Sequence, residues 1–167
     1  MNKVILLIGA GAILSACAGA PIEQEPIPYR ATKTLHEKGT SNFTVRTYST
    51  KGSYTEVKGV PCQFKADGFY ADFVTPAVVV SPDMGPRTPV ASLTCTYEGE
   101  KYFKIVQPIN DTTTKIDQNA SAAGAGAGLI GVIVTGISSS SQRARRDANL
   151  DVYGYPDIMA QFKGVKN

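Results

Sequence analysis

The sequence predicts a mainly β fold: a small antiparallel sandwich or barrel with one disulfide, from which a glycine-rich apolar, helical excursion departs. Three observations point there. Short runs rich in Val, Thr, Tyr and Phe recur from Ser41 onward at intervals of about ten residues, separated by Gly, Pro and Asp, which is the rhythm of an all-β domain. Two cysteines, Cys62 and Cys95, each fall in such a run. Between residues 111 and 150 the rhythm lapses into polar residues, then into an uncharged stretch of Gly and Ala.

In chain order, the β domain is expected over residues 41–110. NFTVRTYST and SYTEVKGV favour strands through their Thr, Val and Tyr content, and Lys51-Gly52 between them suits a hairpin. CQFK meets the turn Ala66-Asp67-Gly68 and then FYADFV, where Phe69, Ala71 and Phe73 share one face by period two. Thr75-Pro76 breaks the strand, AVVVS starts another, and SPDMGPRTP reads as a loop. In VASLTCT, Ala91, Leu93 and Cys95 share a face and should point inward; across the Glu98-Gly99 turn, Phe103 and Ile105 are expected to do the same. YGYPDIMAQFK, within residues 151–167, reads as a final strand that returns to the β domain.

The N-terminus gives the location. Lys3 precedes an uncharged apolar run at residues 4–14, about eleven residues, too short for a bilayer span and right for a secretory h-region. It ends in Leu14-Ser15-Ala16-Cys17, which resembles the lipobox of bacterial lipoprotein signals. That resemblance implies a signal peptide at residues 1–16, cleavage before Cys17, and acylation of its thiol and new amino group. Two or more acyl chains, at about 0.8 kcal/mol per buried methylene, anchor a protein stably. Ala18 rather than Asp follows the cysteine, which by the same resemblance favours the outer membrane, lipid-anchored and facing the periplasm. Residues 17–40, with Pro21, Pro26 and Pro28, read as an extended tether that lifts the domain off the headgroups.

With Cys17 assigned to lipid, Cys62 and Cys95 form an even remainder in an oxidising compartment, the setting for one structural disulfide. A loop of about 34 residues closed in this way stabilises by roughly 3–4 kcal/mol in the chain-entropy treatment. A redox pair or a metal site is the alternative, but the spacing is neither CxxC nor a usual zinc pattern. The formal net charge is +3, spread along the chain apart from Arg143, Arg145 and Arg146, so no electrostatic footprint for nucleic acid appears.

Within residues 123–131, GAGLIG satisfies the dinucleotide pattern GxGxxG. A phosphate cradle also needs a buried strand before it, and TTTKIDQNAS supplies none. A second reading inserts residues 120–137 in a membrane: they carry no charge, span about eighteen residues, and place Gly124, Gly128, Gly131 and Gly136 at spacings that let helices approach closely. The third reading packs the same glycines against the sheet or against a second copy of the chain. Ser138 to Ser141 and the arginines after them read as a hydrated linker closing the segment 111–150.

For catalysis the residues offer little. His36, the single histidine, falls in the tether, and Asp67, Asp72, Asp83 and Asp111 occupy turn or strand-surface positions with no pair singled out. No catalytic residue, metal ligand or cofactor is therefore expected.

The run PCQFKADGFYADFVTPAVVV…ASLTCTYEGE resembles a motif of small proteobacterial envelope lipoproteins. Its positions here are Cys62, Gly68, Thr75, Pro76, Val78, Val80, Leu93, Cys95 and Gly99, with the glycine-rich stretch and the Tyr155, Pro156, Ile158 ending following in order. Its Thr-Pro and cysteine half is also similar to PEGA-type β modules. The resemblance implies fold and location; the family brings no established activity. The expected role is non-enzymatic, binding or structural, in the cell envelope, with the bilayer as one partner through acylated Cys17. A second copy of the chain or another envelope protein is the other partner expected, and a membrane-active assembly and an unspecified enzyme rank behind it.

Overall fold

The structure is a computed structural model and describes residues 20–124 and 140–163, of which residues 120–124 by backbone alone. The signal peptide, Cys17, Gly128, Gly131 and Gly136 lie outside the described residues.

Among the described residues eleven strands and the helix α1 follow in order: β1 (Arg30–Ala31), β2 (Gly39–Ser49), β3 (Thr55–Val57), β4 (Val60–Ala66), β5 (Phe69–Thr75), β6 (Ala77–Asp83), β7 (Ala91–Tyr97), β8 (Glu100–Val106), β9 (Ile109–Asn110), α1 (Asp111–Gly124), β10 (Tyr153–Gly154) and β11 (Ile158–Phe162). The main sheet runs β1-β5-β4-β7-β8, antiparallel throughout. The second layer is centred on β2, with β6 and β3 along successive parts of its length and β11 parallel to its second half, and β9 pairs with β10 as a separate two-stranded ribbon. Both sheets are open, so the sandwich alternative holds rather than the barrel.

Period-two alternation builds the core between the sheets. Phe43 and Val45 from β2 meet Phe64 from β4, Phe69 and Ala71 from β5, and Leu93 from β7, all buried. The Phe64 ring lies 4.7 Å from that of Phe43 and 4.8 Å from that of Tyr155, which follows β10. Where β2 places a polar residue inward it is paired: Thr47 Oγ1 donates to the Val57 carbonyl at 2.7 Å. Cys62 and Cys95 stand opposite one another on β4 and β7 and are joined as a disulfide, buried in the core.

Three turns fall where glycine makes them possible. Gly52, Gly68 and Gly99 take positive φ at the β2–β3, β4–β5 and β7–β8 hairpins. The last of these overturns one expectation. The tight Glu98-Gly99 turn fixes Cys95 opposite Tyr102 and Ala91 opposite Val106, and cross-strand partners share a face. Tyr102 and Val106 therefore turn inward, while Phe103 and Ile105 are more than half exposed.

The tether expectation for residues 17–40 also needs correcting from Ala20 onward. Ile27 bridges to β6, its amide donating to Val78 and its carbonyl accepting from Val80. Pro26 and Pro28 flank it without harm, because neighbours in an extended strand point their N–H groups the other way. β1 then pairs with the edge of β5, and Leu35 packs on the core. The loop expected at SPDMGPRTP begins later as well, since β6 continues to Asp83.

Candidate functional site

Two places gather buried or half-buried polar groups, and both lie on β2. At its start is the root of the excursion. Asn110 closes β9 and caps α1: its Oδ1 accepts from the Thr113 amide at 3.0 Å, as N-cap residues do. Its Nδ2 donates to Asp151 at 2.7 Å. Asp151 is buried and also accepts from Arg146 Nε at 2.9 Å and Nη2 at 3.1 Å. The hydrogen bonds from Arg146 first, then Asn110, hold the Asp151 carboxyl below the usual carboxylate range, and the same contact raises the Arg146 guanidinium.

The residues that flank the excursion, Asn110 and Asp151, are thus fastened to each other, and its root is fastened to the sandwich as well. Ser41 Oγ donates to Asp111 at 3.1 Å, and the Asp111 amide donates to the Val152 carbonyl at 2.8 Å. Buried Asp83 accepts from the amides of Gly85 at 2.9 Å and Tyr153 at 3.1 Å. β10 crosses so near β2 that a Cβ on Gly154 would sit 2.7 Å from Ser41 Cβ, so this position admits only glycine. Further out, helical residues 140–145 return alongside α1, where Arg143 Nε donates to Asp117 at 3.0 Å.

Towards the other end of β2, Arg46 holds the incoming chain. Its Nη1 donates to Glu56 at 2.6 Å and its Nη2 to the Ala20 carbonyl at 2.5 Å. Tyr48, two residues on along the same face, stacks on exposed Tyr54 with ring centroids 4.7 Å apart. Exposed Met159 stands opposite Arg46 on β11.

The cavities are shallow and dispersed. One of 220 Å³ is lined by Lys33, Leu35, His36, Met84 and Arg87, and Lys33 is already paired to Asp67 at 2.6 Å. A more open groove of 680 Å³ crosses the outer face of the main sheet beside Gln63, Asp72 and Thr94. His36 is exposed, as a linker residue would be. Among the described residues five tyrosines have raised hydroxyl pKa values; Tyr29 and Tyr155 are raised furthest, and both are already hydrogen-bonded. Burial, then the bond to Glu37, pushes Tyr29 up to about 12. Burial alone raises Tyr155, whose hydroxyl donates to the Pro89 carbonyl at 2.7 Å. Among the described residues no three His, Cys, Asp or Glu side chains converge as a metal site needs. None of the described helices is long and apolar enough to cross a membrane.

Of the residues singled out from sequence, the structure joins Cys62 to Cys95 and puts Gly124 at the end of α1. Arg146 is not the solvated residue expected, and Asp83 is buried rather than on a surface. Sequence reading passed over Asn110, Asp151, Gly154 and Arg46. An Asn directly before Asp111 and three threonines is an N-cap signal, but Arg46 and Asp151 carried none. No family model matches the chain, and no curated protein or solved structure does.

Proposed function

We propose that this chain is a bacterial envelope lipoprotein, held by acyl groups on Cys17 in the outer membrane and facing the periplasm, with a non-enzymatic binding or structural role. The observation that carries the reading is Leu14-Ser15-Ala16-Cys17 directly after an uncharged apolar run. The joined Cys62 and Cys95 support it, because buried disulfides persist in exported rather than cytosolic compartments. So does the form of the sites: shallow cavities and polar groups already satisfied by one another suit a scaffold better than a reaction centre. Labelling cells with a radioactive fatty acid tests it. Label is expected on the native chain and absent from Cys17→Ser; equal label on both rejects the anchor.

A second reading keeps the anchor and adds self-association through residues 120–137. It is favoured by the root described above, which fixes both flanks of the excursion on the sandwich, and by the close glycine spacing within residues 120–137 of the sequence. Crosslinking in intact cells should then capture a homodimer or larger species, lost when Gly124 and Gly128 are both replaced by Leu. Capture of monomer alone by reactive crosslinker rejects it.

A further inference from the structure

The incoming chain ends its described part under a clamp, and this decides how the domain could stand relative to a bilayer. Ala20 is held by Arg46 at 2.5 Å, and the chain beyond it is held by Gln24 Nε2 on the Pro76 carbonyl at 2.5 Å and by the Ile27 bridge to β6. Only three peptide links separate Ala20 from Cys17. A trans backbone covers at most about 3.6 Å per residue, so the two Cα atoms are within roughly 11 Å of one another. An acylated Cys17 therefore cannot lift the domain clear of the headgroups: from Ala20 onward no slack is left.

We infer that the outer face of the β2–β3–β11 sheet, at the end that carries Arg46, rests on the lipid headgroups. This rests on the lipoprotein reading and adds an orientation to it. The groups around the clamp are those an interface accepts. Tyr48 and Tyr54 form a stacked pair with Tyr54 57% exposed, and Met159, opposite Arg46 on β11, is 60% exposed. Tyrosine, apolar along its ring and polar at its tip, concentrates at membrane–water boundaries. Glu56, which would repel anionic lipid, is neutralised by Arg46. Exposed Lys58 and Glu23 offset each other nearby, so the attraction is interfacial rather than coulombic. It can also be weak. A tether this short makes contact with the bilayer an intramolecular event, and a modest surface preference is then enough to choose one face. The root of the excursion is five residues away along β2, at Ser41, a separation of about 17 Å at 3.4 Å per residue. That end is the part of the sandwich carried away from the anchor.

The test uses the absence of tryptophan from the chain. Single Tyr54→Trp and Leu150→Trp variants of the full lipidated protein, both at exposed positions, are reconstituted into vesicles of phosphatidylethanolamine and phosphatidylglycerol carrying lipids brominated near the headgroup end of the acyl chain. The inference expects the Tyr54→Trp emission to shift to shorter wavelength and to be quenched severalfold more than that of Leu150→Trp. Equal quenching in the two variants, weak or strong, overturns the docking face while leaving the anchor intact, provided the protein floats with the vesicles. Protein that fails to float overturns the anchor, and the docking face falls with it.

Discussion

The sandwich and the helical excursion are two regions of one chain held by different forces. In the sandwich, four phenylalanines (Phe43, Phe64, Phe69 and Phe162), Tyr155, Leu93 and several valines lose nearly all contact with water, and apolar burial at about 25 cal/mol per Å² dominates its stability. In the excursion, none of the described α1 side chains belongs to the core. It is secured at its root by charged and capping hydrogen bonds, from Asn110, Arg146 and Asp151, and further out by the surface pair Asp117–Arg143. Apolar burial is indifferent to pH and lost globally; charged hydrogen bonds respond to pH and are lost one place at a time. Stability here should therefore depend on the first region, while local opening and acid sensitivity belong to the second.

The strongest challenge to this division is Phe64→Ala. The ring is fully buried and touches both Phe43 and Tyr155 across the sandwich, and deletion of such a ring costs about 3–5 kcal/mol through lost burial and the cavity left behind. Urea denaturation of an anchor-free form should show a single transition moved to lower denaturant by that amount. A shift below about 1 kcal/mol, the level of a surface substitution, would mean that the core does not govern stability.

Next in size is the disulfide. Replacing both Cys62 and Cys95 by Ala removes a link across 33 residues of sequence separation and should lower stability by roughly 3 kcal/mol in the chain-entropy treatment. Reduction of the native protein should reproduce the same shift. An unchanged midpoint in both experiments would assign the link no part in holding the sandwich together.

How much of this division could be read from the residues follows the same line between forces. Strand alternation is a local property, so Phe69, Ala71, Phe73, Ala91, Leu93 and Cys95 could be given an inward face from spacing alone, and the structure buries all six. Phe103 and Ile105 depart from the inward expectation because their face depends on register, which the Glu98-Gly99 turn sets and hydrophobicity does not. Ile27 was hidden between two prolines that suit a linker and an edge strand equally well. The root of the excursion was less legible still. Asp151 meets Asn110 and Arg146 because β10 returns to β9, a contact across 41 residues that no short-range pattern records. Gly154, the glycine that a close backbone approach demands, lies in a YGYP context, outside the glycine-rich run.

At the root itself the expected effect is a pH dependence. The Asp151 carboxyl titrates below its ordinary value because Arg146 and Asn110 hydrogen-bond its charged form. Over the interval between the folded value and the unfolded one near 3.9, the unfolded chain binds the proton and the folded chain does not, so stability rises with pH there. The contribution is complete above the unfolded value and fades as pH falls through the folded one. Asp151→Asn should lower the urea midpoint at neutral pH and flatten its decline over the acid range. An acid limb of unchanged steepness in the variant would show that other carboxylates account for it.

The smallest expected effect sharpens the comparison most, because it asks whether the outer part of the excursion is coupled to the sandwich at all. Arg143 and Asp117 are both about 40% exposed or more, and their pairing raises the Arg143 guanidinium. Water and salt screen such a pair, and the median surface ion pair contributes little to global stability. Asp117→Ala should leave the urea midpoint where it is in the native chain. Backbone amide exchange over helical residues 140–145 should nevertheless quicken, since local opening there needs no core contact to break. A fall in the midpoint together with faster exchange throughout β2 and β4 would show that excursion and sandwich unfold as one unit. The two regions would then differ in what holds them but not in when they let go.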